Sequence, residues 1–419
     1  MGSSVRGNAN KNKASMKRCL LDLRNILLLV GIFFLATWYA ILLTYLLTSY
    51  RGTKGGVDYL AHYSAGYIIR YESPGRLYDL DLQHHIQETV ALSDQVARYY
   101  YYHPPLLAGI LGWVTTKDYD ASYFRWMFIL IAFHLASLGI LTCLLRRFQW
   151  QTEELWILGI SGLLFTPAFI ACLKGQDSTF LLLGVSLWTF GLLTARDRVA
   201  GLGLALAAIR PQVALVLALP FLFKRRRVWW WFLAWGLILL AYCYLLVGVQ
   251  GLEGFLQVLL LSGQGTGIIE VNMDKMITLM GAILRLFPDI DPRLFQIIGY
   301  GGYGLSILFL CLLWARSRAI ELQHIGLAIL FSMAFSPHMH NHDLSLLLIP
   351  ALAAATTLAI NRVWSRRYAA LLPLGASLIL TVNDISYIYT VIYLLMLALA
   401  LFLWFPGWFK PRKKEPRVC

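Results

Sequence analysis

Charge is scarce in this chain, and acid is scarcer than base. Only 14% of the 419 residues are Asp, Glu, Lys or Arg, 22 acids against 36 bases, where a soluble domain carries about a quarter. That shortage excludes an ordinary soluble fold. With 58% hydrophobic residues and a mean hydropathy of +0.63, a polytopic membrane protein is expected. Cysteine is also sparse: Cys19, Cys143, Cys172, Cys243, Cys311 and Cys419 lie in or beside apolar segments. None falls in the large polar loop, so no disulfides are expected. The stretch from Gly263 to Gly267 lacks the Gly-Lys-Ser/Thr of a phosphate-binding P-loop and reads as a flexible outer loop. No fixed-period repeat and no pairing of two halves is evident, which weighs against the alternative of a transporter for an anionic or lipid-linked substrate.

What charge there is sits in clusters. The formal excess of +14 comes from cations at the ends of apolar runs, including Lys17 and Arg18, Arg146 and Arg147, Lys224 to Arg227, Arg362, Arg366 and Arg367, and Lys410 to Lys414. That placement is a positive-inside signal and needs no nucleic-acid partner. Spans of about 20 residues are expected at 24–48, 121–145, 155–172, 177–194, 228–248, 294–315, 320–336, 343–360, 368–382 and 385–407. The expected organisation is a disordered basic tail at 1–20, one transmembrane domain at 21–409 and a second basic tail at 410–419, with both termini cytoplasmic. Within the domain, 49–120 forms a first outer loop with short interfacial helices and 249–293 a second.

This topology holds only if two apolar segments do not cross. Residues 104–116 must stay on the outer side. Residues 199–223, a helical hairpin turning at Arg210-Pro211, must enter and leave on the cytoplasmic side, or else reach the outer surface as two thin spans. Either way, one cation is held at membrane depth, which favours a functional role for Arg210. In the first loop, Leu82, Ile86 and Val90 recur at i+4 and predict an amphipathic helix with Gln83 and Gln87 on other faces.

The outer side collects the unusual polar residues: Asp58 and His62, Arg76 with Asp79, His103-Pro104-Pro105, Lys174 with Gln176 and Asp177, and the run His338, His340, His342, Asp343. So many ionisable groups at the outer ends of different helices suggest one shared site. Asp58 and His62 stand one helical turn apart. Asp58 suits a general base, though spacing alone favours an N-cap of the helix that follows. The three histidines at 338–342 have spacing open to a metal, but no second cluster matches them; a sugar or lipid-phosphate contact is favoured, and neither metal nor cofactor is expected.

The order of these motifs resembles the polyprenol-phosphate-dependent glycosyltransferases of family 87, which include the mycobacterial phosphatidylinositol mannoside mannosyltransferases. The resemblance rests on Asp58-Tyr59, Leu77-Tyr78-Asp79, Pro104-Pro105, Gly175-Gln176, Arg210-Pro211 ahead of Lys224 to Arg227, and Ser336-Pro337 with His342. It covers about residues 24 to 350. Three departures stand out: His103 where Tyr is usual, Ser178 where Asn is usual, and Arg210 where Lys is usual.

The resemblance implies an all-α GT-C fold with about ten to twelve transmembrane helices in a plasma (inner) membrane. It implies an inverting transfer of a sugar, mannose by family weight, from a polyprenyl-phosphate donor to a lipid or glycolipid acceptor on the outer face. Asp58 would then be the base. His62, Arg76, Asp79, His103, Lys174, Gln176, Arg210, His338, His340 and His342 would bind substrate, with Arg210, Lys174 and His342 as candidates for the phosphate.

Overall fold

The computed structural model describes residues 23–44, 58–90, 99–264, 275–381 and 386–405. The tails, Cys19, Cys419, residues 45–57 and most of the stretch from Gly263 to Gly267 lie outside the described residues. No strand occurs among the described residues, and the chain is an all-α polytopic membrane protein. Cys143, Cys172, Cys243 and Cys311 are unpaired.

The first long helix is α1 (Leu23–Thr44). Three short helices follow, α2 (Tyr59–Tyr71), α3 (Leu80–Val90) and α4 (Pro105–Val114), and then the long α5 (Tyr119–Leu145). The next apolar run divides into α6 (Thr152–Leu163) and α7 (Thr166–Lys174) because Pro167 restarts the helix at its first turn. After α8 (Ser178–Leu193) comes the hairpin of α9 (Asp197–Ala207) and α10 (Pro211–Ala218). Then follow α11 (Arg227–Gln264), α12 (Leu279–Leu286), α13 (Pro292–Arg316), α14 (Leu322–Ala334), α15 (Leu348–Ile360), the single turn α16 (Arg366–Ala369), α17 (Leu372–Ile379) and α18 (Ser386–Trp404).

Among the described residues, 7 helices are long and apolar enough to cross a bilayer: Leu23–Thr44, Tyr119–Phe148, Thr152–Lys174, Arg226–Leu261, Pro292–Arg316, Asn341–Ile360 and Tyr387–Trp404. Three expected spans are shorter. Those at 177–194 and 320–336 are the 16-residue α8 and the 13-residue α14, and the one at 368–382 breaks between α16 and α17, where Pro373 begins a new helix. Conversely, the helix expected at 228–248 continues through a kink at Gly248 (φ 67°) to Gln264, so the start of 249–293 is helical.

Two ends of the bundle can be told apart from contacts. The start of α5 lies against α2, with Tyr119 and Tyr123 each 5.5 Å from Tyr59 between ring centres. The 27 residues of α5 then carry the chain about 40 Å away at 1.5 Å per residue. At that far end Arg24 of α1 pairs with Glu153 at 2.6 Å, and Arg366 donates to the carbonyls of Phe148 and Gln149. Helix α9 returns from the far end along α8, so closely that a Cβ on Gly191 or Gly203 would lie 2.3 Å from the backbone nitrogen of Ala200 or Trp188. Small residues permit this approach in a membrane helix pair. The hairpin turn at Arg210 is thereby delivered to the N-terminus of α8, beside Asp177.

Candidate functional site

Asp58 occupies the N-cap position of α2 with helical backbone angles (φ −56°, ψ −19°), and its side chain makes no capping hydrogen bond. The cap role favoured by spacing is therefore not made. Its half-buried carboxylate has no hydrogen bond or ion pair among the described residues. Tyr59 behind it is fully buried in a cluster with Tyr63, Tyr119 and Tyr123. Against that tyrosine packs the turn after α7. Gly175 sits there at φ +70°, and a Cβ on it would come within 2.6 Å of the Tyr59 Cβ, so the position needs glycine both for its backbone and for space. Trp126 Nε1–H donates to the Gly175 carbonyl at 2.8 Å and Tyr123 Oη–H to that of Leu173 at 2.5 Å. Lys174, half-buried in this turn, has no hydrogen bond or ion pair among the described residues. The charges of Asp58 and Lys174 both act on His342.

One turn along α2, His62 is buried, its ring stacked near His103 (5.4 Å) and Trp126 (6.0 Å). Neither ring nitrogen of His62 has a hydrogen-bond partner. His103 leads to the centre of the cluster. Arg210 Nη1 lies 2.5 Å from His103 Nδ1, and Arg210 Nη2 lies 2.8 Å from Asp177 Oδ1 and 3.6 Å from Asp343 Oδ1. A guanidinium only donates, so His103 Nδ1 is the lone-pair nitrogen and the ring proton sits on Nε2. Asp343 also accepts from Ser178 Oγ–H at 2.9 Å and from the His340 backbone N–H at 3.2 Å, with His342 Nε2 at 3.6 Å. Asp177, Asp343 and Arg210 are each at most 6% exposed. Two carboxylates thus enclose one buried guanidinium.

The electrostatics follow from that enclosure. Burial pushes His62 and His103 below the ordinary histidine range; Asp177 opposes the shift and Arg210 adds to it. Both rings are therefore neutral near pH 7. Burial alone would raise Asp177, but the Arg210 charge outweighs it and holds the carboxyl below the usual range, ionised. His62, His103 and Asp177 offer ligand atoms within 4.8 Å of one another, a set that could hold a metal ion. Arg210 already supplies a cation bonded to two of the three.

The remaining expected residues are placed as follows. His338, His340 and His342 form a chain of ring contacts, 4.6 and 5.7 Å between successive centres, with His338 edge-on to Tyr102 at 6.2 Å. Gln212 of the hairpin donates to the His338 carbonyl at 3.1 Å, joining this chain to the Arg210 turn. Gln176 lies half-buried beside Asp177 with no side-chain hydrogen bond among the described residues. Arg76 and Asp79 make no side-chain hydrogen bond or ion pair to this cluster among the described residues, although Tyr78 between them donates to the His103 carbonyl at 2.6 Å. They pair with each other at 2.6 Å, and Asp79 caps α3 by accepting from the Leu82 N–H at 3.0 Å.

The amphipathic stripe of α3 packs as expected, with Ile86 in the core and Leu82 and Val90 against it, but the helix buries two amides besides. Its buried residues are Gln83, Ile86 and Gln87, while Leu82 and Val90 are only partly covered. Gln83 accepts from Tyr101 N–H at 2.8 Å and donates to the Leu77 carbonyl at 2.7 Å; Gln87 donates to the Tyr99 carbonyl at 2.5 Å. A side-chain amide supplies both donor and acceptor, so it can satisfy an extended backbone that no helix or sheet pairs. That backbone, residues 99–103, delivers His103. Asp177 and Asp343 stand in the outer polar group of the sequence and Ser178 among its departures, but none was assigned a role, although a buried cation demands an acid as partner.

Residues 101–337 match the model of glycosyltransferase family 87. The match spans more than half of the chain, and the chain belongs to that family. No curated protein and no solved structure gives a match.

Proposed function

Starting from membership of family 87, we propose that this membrane glycosyltransferase moves a sugar, mannose first, from a polyprenyl-phosphate donor to a lipid or glycolipid acceptor at the outer face of a plasma membrane, with inversion. The observation that carries the reading is the pair of ionisable groups left without partners at the site, Asp58 and Lys174, beside a cluster whose other charges are satisfied.

The acceptor hydroxyl gives its proton to the Asp58 carboxylate as its oxygen bonds to the anomeric carbon. The bond from that carbon to the phosphate oxygen breaks on the opposite face. The departing polyprenyl phosphate gains one negative charge, which Lys174 stabilises as any oxyanion donor would. Protonated Asp58 then returns its proton to water. Arg210 acts one step back. Its charge is taken up by Asp177 and Asp343, so it holds His103 in place and anchors the hairpin turn. His62, with free ring nitrogens, and Gln176, His338, His340 and His342 bind the sugar and its phosphate. Arg76 and Asp79 serve the acceptor at the rim.

The test is transfer in proteoliposomes: the full chain is supplied with radiolabelled polyprenyl-phosphate mannose and membrane-lipid acceptors, with the arabinose and glucose donors as parallel arms. Label should appear on a lipid from the mannose donor. Absence of transfer from every polyprenyl-linked sugar would rule out this donor class.

A further inference from the structure

The far end of the bundle holds a cavity that transfer does not use. It measures about 830 Å³ and is lined by Arg147, Phe148 and Gln149 after α5 and by Arg362, Trp364, Ser365 and Arg366 after α15, with Ala359 and Ile360 as an apolar floor. Helix α5 starts against Tyr59, and the chain enters α15 from Asp343, so the cavity lies one full helix length from the Arg210 cluster.

Three arginines surround this space, and no acid pairs with any of them among the described residues. Elsewhere at the same end acids do meet arginines: Arg24 holds Glu153 and Arg225 holds Asp197. Arg366 is fixed by the carbonyls of Phe148 and Gln149 and lies over the Trp150 ring at 5.9 Å. The side chains of Arg147 and Arg362 are exposed and have no hydrogen-bond partner among the described residues. Three like charges around one cavity repel one another, and an anion between them removes that repulsion. The apolar side of the pocket says which kind of anion. Ile360 is 55% and Trp364 47% exposed, at the terminus of a helix long and apolar enough to cross a bilayer, where tryptophan favours the headgroup level. A free phosphate has no use for that surface; a phospholipid does.

We propose that this cavity binds an anionic glycerophospholipid, its phosphate among Arg147, Arg362 and Arg366 and the start of its acyl chains along Ile360 and Trp364. The site is separate from the transferase reading and does not depend on it. Basic pockets between membrane helices take anionic headgroups by this chemistry.

Native mass spectrometry of the delipidated full-length protein tests it, titrated with phosphatidylglycerol, with phosphatidylcholine and with inorganic phosphate as competitor. The wild type should retain phosphatidylglycerol in preference to phosphatidylcholine. The Arg147→Gln, Arg362→Gln double variant, changed at two exposed positions, should lose about thirtyfold of that affinity while keeping wild-type thermal stability and transfer rate. Equal retention of phosphatidylglycerol by both proteins, or of both lipids by the wild type, would overturn the proposal. Displacement of the lipid by millimolar inorganic phosphate would also overturn it, by making the ligand a soluble anion.

Discussion

Asp58 and Asp177 flank the same site, yet their surroundings are opposite. Asp177 is fully buried and bonded to Arg210, which also meets Asp343 and His103. Asp58 is half-buried, declines the capping bond its position offers, and meets no partner among the described residues. Lys174 and Arg210 differ in the same way. A buried charge enclosed by opposite charges holds structure, and an accessible charge left without a partner is available to a substrate. Arg210, which the sequence favours for a functional role, is the cation that Asp177 and Asp343 enclose.

Removing the enclosed cation should produce the largest change. Arg210→Ala leaves Asp177 and Asp343 buried without their counter-charge, a loss of about 3–5 kcal/mol, read as a large fall in the thermal unfolding midpoint of the detergent-solubilised protein. Arg210→Lys should restore part of it, since the charge returns without the planar fork. A wild-type midpoint in Arg210→Ala would break the comparison. Lys174→Met should do the reverse, lowering the transfer rate about 10²–10³-fold, the scale of losing one oxyanion donor, with the midpoint unchanged.

Smaller effects sharpen the scaffold side. Gln83→Ala leaves the Tyr101 N–H and the Leu77 carbonyl without that partner, at about 1–3 kcal/mol for each group that stays unpaired, seen as a lower midpoint and a weaker apparent affinity for donor. The smallest effect expected is with pH. Burial, reinforced by Arg210 and opposed by Asp343, lowers His338 to about 4, against about 6.5 when unfolded. The unfolded chain therefore binds the proton more readily. This contribution to stability is full above about 6.5 and declines as pH falls toward 4. The midpoint should drop between pH 7 and pH 5, and the drop should be smaller in His338→Gln.

Composition and charge clusters made the membrane class legible, because hydropathy and cation placement depend on the bilayer more than on tertiary detail. Most long helices were legible for the same reason. The broken segments were not: Pro373 and Pro167 divide runs that read as continuous, and α8 and α14 are shorter than the expected spans. Periodicity found the apolar stripe of α3, Leu82, Ile86 and Val90, but not the burial of Gln83 and Gln87 beside it. A hydrophobicity pattern cannot anticipate an extended backbone that needs amides. At the site, the residues gathered as one outer group do largely meet, from His62 and His103 through Asp177 to His342. The partners of Arg210 were hidden by sequence separations of 33 to Asp177 and 107 to His103. The rule that a buried cation needs an acid partner was not applied to Arg210, and sequence alone does not say which acid it meets.

The central claim is that Asp58 is the free carboxylate that takes the acceptor proton. The most direct measurement is the transfer rate of Asp58→Asn from a saturating polyprenyl-phosphate sugar donor, taken with its thermal unfolding midpoint in the same preparation. The amide keeps the shape and removes the base, so the rate should fall by about 10²–10⁴ and the midpoint should stay at the wild-type value. A wild-type rate, or a rate lost only together with a large fall in the midpoint, would contradict the account.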